Sequence, residues 1–156
     1  CIENLWNIED PEEIEPDGIE YELNGEVSGI TIKGFIDRFT LDDDGGVVIS
    51  DYKTGKTPRA EYVDQRFLQL RIYGTLVDTL GIGQTTNLEL LYLKDGIKHE
   101  VPFGPADIVE TTQYIEDVKR DVDQACKDDN FPAQKSVLCG WCSYKGICPE
   151  WTKGIE

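Results

Sequence analysis

Lys33–Lys56 reads KGFIDRFTLDDDGGVVISDYKTGK. The reading is two β-strands joined by an acidic, glycine-rich turn. Asp37 lies on the first strand, and Asp51 and Lys53 close the second. Side chains two apart on a strand share a face, so Asp51 and Lys53 point one way and Tyr52 the other. The hairpin brings Asp37 alongside them. Two carboxylates and an ammonium gathered at one point make a poor structural device and a good site for a cation with a positive partner. The plainer alternative for the three is a salt-bridge cluster. The turn itself, DDDGG, reads as a solvated loop, because it lacks the alternating ligands and terminal glutamate of a calcium loop.

The flanking chain supplies elements to either side. Cys1–Trp6 resembles the end of a helix with Ile2, Leu5 and Trp6 on one side, followed by the acidic connector IEDPEEIEPDG. Glu20–Leu23 predicts a short strand, and Asn24-Gly25 a hairpin turn. Ile30, Ile32, Phe35 and Phe39 mark the next strand, where Gly34 permits a bulge or a close approach. Val47–Ile49 predicts a buried strand. After Lys53 the loop TGKTPR offers Lys56 and Arg59, either to a phosphate backbone or simply to water. Glu61–Leu80 predicts one helix with Leu68, Ile72, Leu76 and Leu80 every fourth residue and Gly81 as its stop. Gln69 and Tyr73, four apart on that helix, need polar partners, either the backbone of a neighbouring strand or the carboxylates. Asn87–Leu93 and Ile97–Phe103 predict strands around an Asp95-Gly96 turn, with His99 at the surface. Pro105 opens a helix expected to reach about Asp129, with Ile108, Tyr114, Ile115, Val118, Val122 and Ala125 as its packing face and Cys126 as a packing thiol.

Composition bounds the answer. The 156 residues suit one domain over 1–156: an N-terminal helix end and linker (1–19), a core (20–132) and a cysteine-rich tail (133–156). The chain is 39% hydrophobic and 10% aromatic, which argues for a folded core. No apolar run approaches a membrane span and no signal peptide opens the chain, so a cytoplasmic protein is expected. The net charge of −16 argues against a nucleic-acid binder, although bound divalent cations reverse the local field. The absence of methionine predicts a piece of a longer protein. Cys139, Cys142 and Cys148 form C-x2-C-x5-C, a spacing that points to metal rather than disulfides. Three thiolates are one short of a closed zinc or four-iron site, which leaves Cys1, Cys126 or an upstream residue as the fourth, with buried thiols and zinc as open alternatives.

GFIDR, then DYKTGK, then QLRIY resembles the PD-(D/E)xK nuclease superfamily in its RecB-like exonuclease branch, over nearly the whole chain. The resemblance implies an α/β, restriction-endonuclease-like core, a mixed sheet flanked by helices. It implies Mg2+ or Mn2+ held by Asp37, Asp51 and the main-chain carbonyl of Tyr52, with Lys53 orienting the attacking water. Gln69 and Tyr73 match the Q-x3-Y helix motif that supports the site. The cysteines resemble those of the iron-sulfur subset, which includes a nuclease subunit of AddAB-type helicase-nucleases and a nuclease of CRISPR spacer acquisition. That likeness implies a 4Fe-4S cluster on Cys139, Cys142 and Cys148, with Cys1 as fourth ligand, although Cys1 lies nearer the first catalytic strand than in the family. The family's metal-binding histidine upstream of the GFIDR strand has no counterpart here, so a preceding helical segment is expected to carry it. The function implied is a metal-dependent DNA exonuclease of repair or recombination, with DNA and a helicase subunit as partners. The alternative is an inactive, nuclease-like binding module with a structural zinc or iron-sulfur site.

Overall fold

A computed structural model describes residues 1–152. The chain divides into two compact units, Cys1–Val118 and Lys119–Glu156.

The first unit is built on one five-stranded sheet in sequential order: β1 (Gly18–Val27), β2 (Ile30–Leu41), β3 (Val47–Lys53), β4 (Thr85–Tyr92) and β5 (Ile97–Pro102). Every neighbouring pair is antiparallel except β3 and β4, which are parallel. A parallel pair needs a long crossover, and helices α2 (Ala60–Arg66) and α3 (Leu68–Thr79) supply it. Helix α1 (Ile2–Ile8) precedes the sheet and α4 (Pro105–Asp128) follows it. The mixed sheet flanked by helices is the α/β, restriction-endonuclease-like architecture expected.

Leu70, Leu76 and Val77 of α3 are fully buried with Ile49, Leu88 and Leu90 of the sheet, and this is the centre of the core. Close approach depends on glycines. A side chain at Gly25 would meet Leu80 Cδ2 at 2.7 Å, and one at Gly34 would meet the Tyr73 hydroxyl at 2.8 Å. This explains why Asn24-Gly25 is not the hairpin turn. Both residues pair within β1, opposite Lys33 and Ile32, and Gly25 serves packing. The turn falls instead at Ser28-Gly29, with φ of 51° and 74°, the pair of positive values that a tight two-residue hairpin requires.

Strand β2 changes its facing in the middle. Ile36 and Phe39 both belong to the core although three residues apart, which strict alternation forbids. Opposite this point Glu20 has φ of 47°, and the β1–β2 pairing passes from Ile19↔Arg38 to Tyr21↔Ile36 without a partner for Asp37. Such irregularities re-aim side chains, and here the re-aimed residues are Asp37 and Arg38.

The helix expected over Glu61–Leu80 is two helices. The chain breaks at Phe67, which is completely buried, and the Arg71 guanidinium reaches back to Asp64, with 2.6 Å to Oδ1. Neither glycine nor proline marks the break, which falls at a buried aromatic ring spanned by the Arg71–Asp64 pair. Helix α4 has the expected length but only its first half packs, through Ile108, Thr111 and Ile115; Tyr114, Val118 and Val122 are exposed. Cys126 is likewise exposed rather than packed. His99 is half-buried, with its ring edge-on to Tyr92 at 5.9 Å between centroids, rather than on the surface.

In the second unit Ser136 caps a 3-10 turn over Val137–Trp141. Its hydroxyl accepts the Leu138 N–H at 3.2 Å, and Cys139 Sγ accepts the Ser136 N–H at 3.3 Å. A short helix, α5 (Pro149–Thr152), ends the described residues.

Gly34→Ala is expected to cost about 1–3 kcal/mol by forcing the Tyr73 ring aside. Combined with Tyr73→Ala, the added cost should fall well below that, as denaturant melts of the four variants in the cycle will show. Equal costs in both backgrounds would refute the contact as the reason for the glycine.

Candidate active site

The β2–β3 ladder runs from Leu41↔Val47 to Arg38↔Ser50 and stops. Asp37 and Asp51 are the next residue on each strand. Beyond that point β3 pairs with β4 alone, through Lys53↔Tyr92. The end of a ladder frees side chains while the neighbouring pair keeps the backbone rigid. The Tyr52 N–H, turned toward β2, donates to Asp37 Oδ2 at 2.9 Å. Asp37 is therefore held by the peptide of the residue that follows Asp51.

Asp51 is 6% exposed. The Lys53 ammonium lies 2.6 Å from its Oδ2, with the Lys53 side chain one-third exposed. This ion pair is the partner of the buried oxygen, although its angle is poor for a hydrogen bond. Burial pushes the Asp51 carboxyl above its ordinary range, Lys53 pulls it down, and the neighbouring charge of Asp37 raises it again. A buried carboxylate beside a second carboxylate is a donor set that suits a hard divalent cation. Among the described residues no group of three or more His, Cys, Asp or Glu side chains is gathered to hold a metal, so backbone oxygen, water or substrate must complete the coordination of this pair.

Gln69 and Tyr73 sit on α3, where Gln69 Nε2 donates to the Tyr73 hydroxyl at 2.9 Å. The tyrosine ring stands over Gly34, three residues before Asp37 on β2. Their polar partner is thus each other, which neither expectation anticipated.

The charge is unevenly distributed. Residues 53–71 hold five of the chain's 15 lysines and arginines but only two of its 31 acids. The loop leaving β3 is tied down by the Thr57 N–H, which donates to Asp95 Oδ2 at 2.6 Å and holds that carboxyl below its usual range. Lys56, Arg59 and Arg66 are exposed, and Arg59 stacks on Tyr62 with 5.2 Å from guanidinium to ring. Arg59, Tyr62 and Arg66 recur at helical spacing and share one face.

On the face away from Asp51 lies a group that sequence reasoning missed. Arg38 makes a bidentate pair with Glu9 at 2.6 and 3.0 Å, and its Nη2 also donates to Ser50 Oγ at 3.0 Å. Ser50 donates to Glu89 Oε2 at 2.8 Å, and Lys98 to Glu89 Oε1 at 3.0 Å. The one signal available was the arginine beside Asp37 in GFIDR.

In the second unit Cys139, Cys142 and Cys148 line one cavity of about 20 Å³ together with Lys145 and Trp151. Cys1 is exposed before α1 in the first unit.

The model of the PD-(D/E)XK nuclease superfamily matches residues 3–149. The gene 69 protein of Mycobacterium phage L5 is 28% identical over 161 residues, covering 96% of this chain. The chain spans 51% of that relative's length. The crystal structure of SSO0001 superposes with a TM-score of 0.53 at 22% identity, over 85% of this chain and 60% of that one, a likeness of fold.

Because its carboxyl is raised, Asp51 favours folding when protonated. This contribution is full below the ordinary carboxylate pKa and is lost as pH rises through the raised folded value. Asp51→Asn mimics the protonated form, so at neutral pH and without metal it should raise stability by about 1 kcal/mol while removing manganese binding. Thermal melts in chelator and calorimetric titration check both. A destabilised variant would contradict the burial argument.

Proposed function

The chain belongs to the PD-(D/E)XK nuclease superfamily, and from that premise we propose that it hydrolyses DNA phosphodiester bonds as a divalent-metal-dependent exonuclease. The observation that carries the reading is the buried carboxylate of Asp51 set beside Asp37, with the Lys53 ammonium 2.6 Å from it at the rim. In this reading Asp37, Asp51 and the main-chain carbonyl of Tyr52 hold Mg2+ or Mn2+, which when bound supplies Lewis acidity to the attacking water and the phosphate. Lys53 orients that water and offsets the negative charge that develops on the phosphate. The Tyr52 N–H fixes Asp37 in place by donating to Oδ2. Tyr73, braced by Gln69, holds β2 against α3 next to the site.

A chain of net charge −16 must meet a polyanion somewhere less acidic. The stretch from Lys53 to Arg71 provides this, beginning at the site itself. Arg59 and Arg66 take phosphates and the exposed Tyr62 offers a base a stacking face. A role in repair or recombination in the cytoplasm, alongside a helicase subunit, follows the RecB-like likeness of the motifs. No helix among the described residues is long and apolar enough to cross a membrane.

The cysteine unit is read as a 4Fe-4S site. The support is the C-x2-C-x5-C spacing of Cys139, Cys142 and Cys148 alone, because among the described residues these thiols are not gathered as a metal-holding group. Zinc on the same thiolates is the competing occupant. One observation favours the inactive-module reading: Lys53 is ion-paired with Asp51 rather than directed outward.

Manganese-dependent release of nucleotides from DNA is expected to fall by about 10²–10⁴-fold in Lys53→Ala, the size of a lost proton-transfer or water-orienting group. Asp51→Ala should lose it altogether. Cleavage that survives both would refute the mechanism. In the non-cleaving Lys53→Ala background with calcium, Arg59→Ala and Arg66→Ala should each lower the salt slope of DNA binding by about 1. Unchanged slopes would exclude α2 as the phosphate track. For the tail, Cys142→Ser should abolish visible charge-transfer absorbance and bound iron; retention of either would refute the ligand assignment, and a colourless wild type with stoichiometric zinc would replace the cluster with zinc.

A further inference from the structure

The polar chain on the face away from Asp51 is an expensive way to hold a sheet together. It runs Glu9, Arg38, Ser50, Glu89, Lys98, one residue on each of four neighbouring strands after Glu9 at the end of α1. Arg38 is 7% and Glu89 8% exposed. Desolvating charges in this way costs more than packing apolar residues of the same size, so such a group is weak evidence for stability. Its geometry singles out Tyr52. The Arg38 guanidinium lies 5.4 Å from the Tyr52 ring, and the Tyr52 hydroxyl donates to Glu9 Oε1 at 3.2 Å, sharing that oxygen with Arg38.

Tyr52 is the residue between Asp51 and Lys53, and its own N–H holds Asp37. Its side chain is fixed at ring and hydroxyl on one face, while its peptide ties the two carboxylate strands where their ladder has ended. We infer that Glu9 and Arg38 are positioning residues that clamp the Tyr52 side chain and thereby fix the peptide that spaces Asp37 from Asp51. The segment preceding β1 thus takes part in the site through Glu9, without touching a metal or substrate. This rests on the metal site proposed above.

The consequence is read in metal affinity, not only in activity. Tyr52→Phe removes one hydroxyl and nothing else, and Glu9→Gln keeps the shape while removing the charge. Each should weaken manganese binding about tenfold by calorimetry, the usual scale for groups that orient a ligand. The double variant should lose little more than either alone, because both act through one contact. Lys98→Gln, at the far end of the polar chain, serves as the comparison: it should lower the melting temperature and leave manganese affinity unchanged. If Tyr52→Phe and Glu9→Gln bind manganese as the parent does, the inference is overturned and the chain is only structural, while the metal site stands. If the parent itself binds no manganese, both the site and the clamp fall. Tyr52→Phe keeps the test decisive should Glu9→Gln fail to fold.

Discussion

Two carboxylates set side by side in a half-buried place repel each other, and much of this fold is arranged around keeping Asp37 and Asp51 there. Asp37 has its charge met by a backbone N–H, while Asp51 has Lys53 close by but no directed hydrogen bond at Oδ2. The carboxyl of Asp51 is raised as a result, mainly by burial. Burying a carboxylate in this way costs stability, a cost that the divalent cation proposed above would offset.

The sheet supplies the geometry in three steps. The antiparallel β2–β3 ladder ends at Arg38↔Ser50, so the next pair of side chains is released. The parallel β3–β4 pairing continues past them and keeps the backbone in place. The interruption opposite Glu20 turns β2 over between Ile36 and Phe39, so Asp37 shares the α3 side of the sheet with Asp51 while Arg38 points away from it. The two faces then divide the work. One carries the carboxylates, Lys53 and the Tyr73–Gln69 pair; the other carries the buried charges that grip Tyr52. Although the chain as a whole is acidic, the exit from β3 concentrates cations in one stretch.

What was legible in the sequence follows from how local each cause is. The strand signals of GFIDR and of the compact run before DYKTGK are local, and both strands stand where they were expected. The spacing of Asp51 and Lys53 alone predicts their shared face, and the structure places them 2.6 Å apart. Causes that lie far along the chain were not readable. Gly25 reads as a turn residue until α3 is seen packed above it. The break at Phe67 leaves no local mark because both flanking segments are good helix. The second half of α4 follows an apolar pattern, yet Val118, Val122 and Cys126 are exposed. Glu9 is 29 residues from Arg38 and sits in an acidic connector whose composition says only that it is soluble. Its role emerges from geometry alone.

The measurement that bears most directly on the account is anomalous diffraction at the manganese edge from crystals grown with MnCl2. The account predicts a peak in contact with carboxylate oxygens of both Asp37 and Asp51, about 2–2.3 Å from each, and no peak there in Asp51→Asn. Manganese found only on the acidic turn at Asp42–Asp44, or nowhere on the chain at saturating concentration, would contradict it.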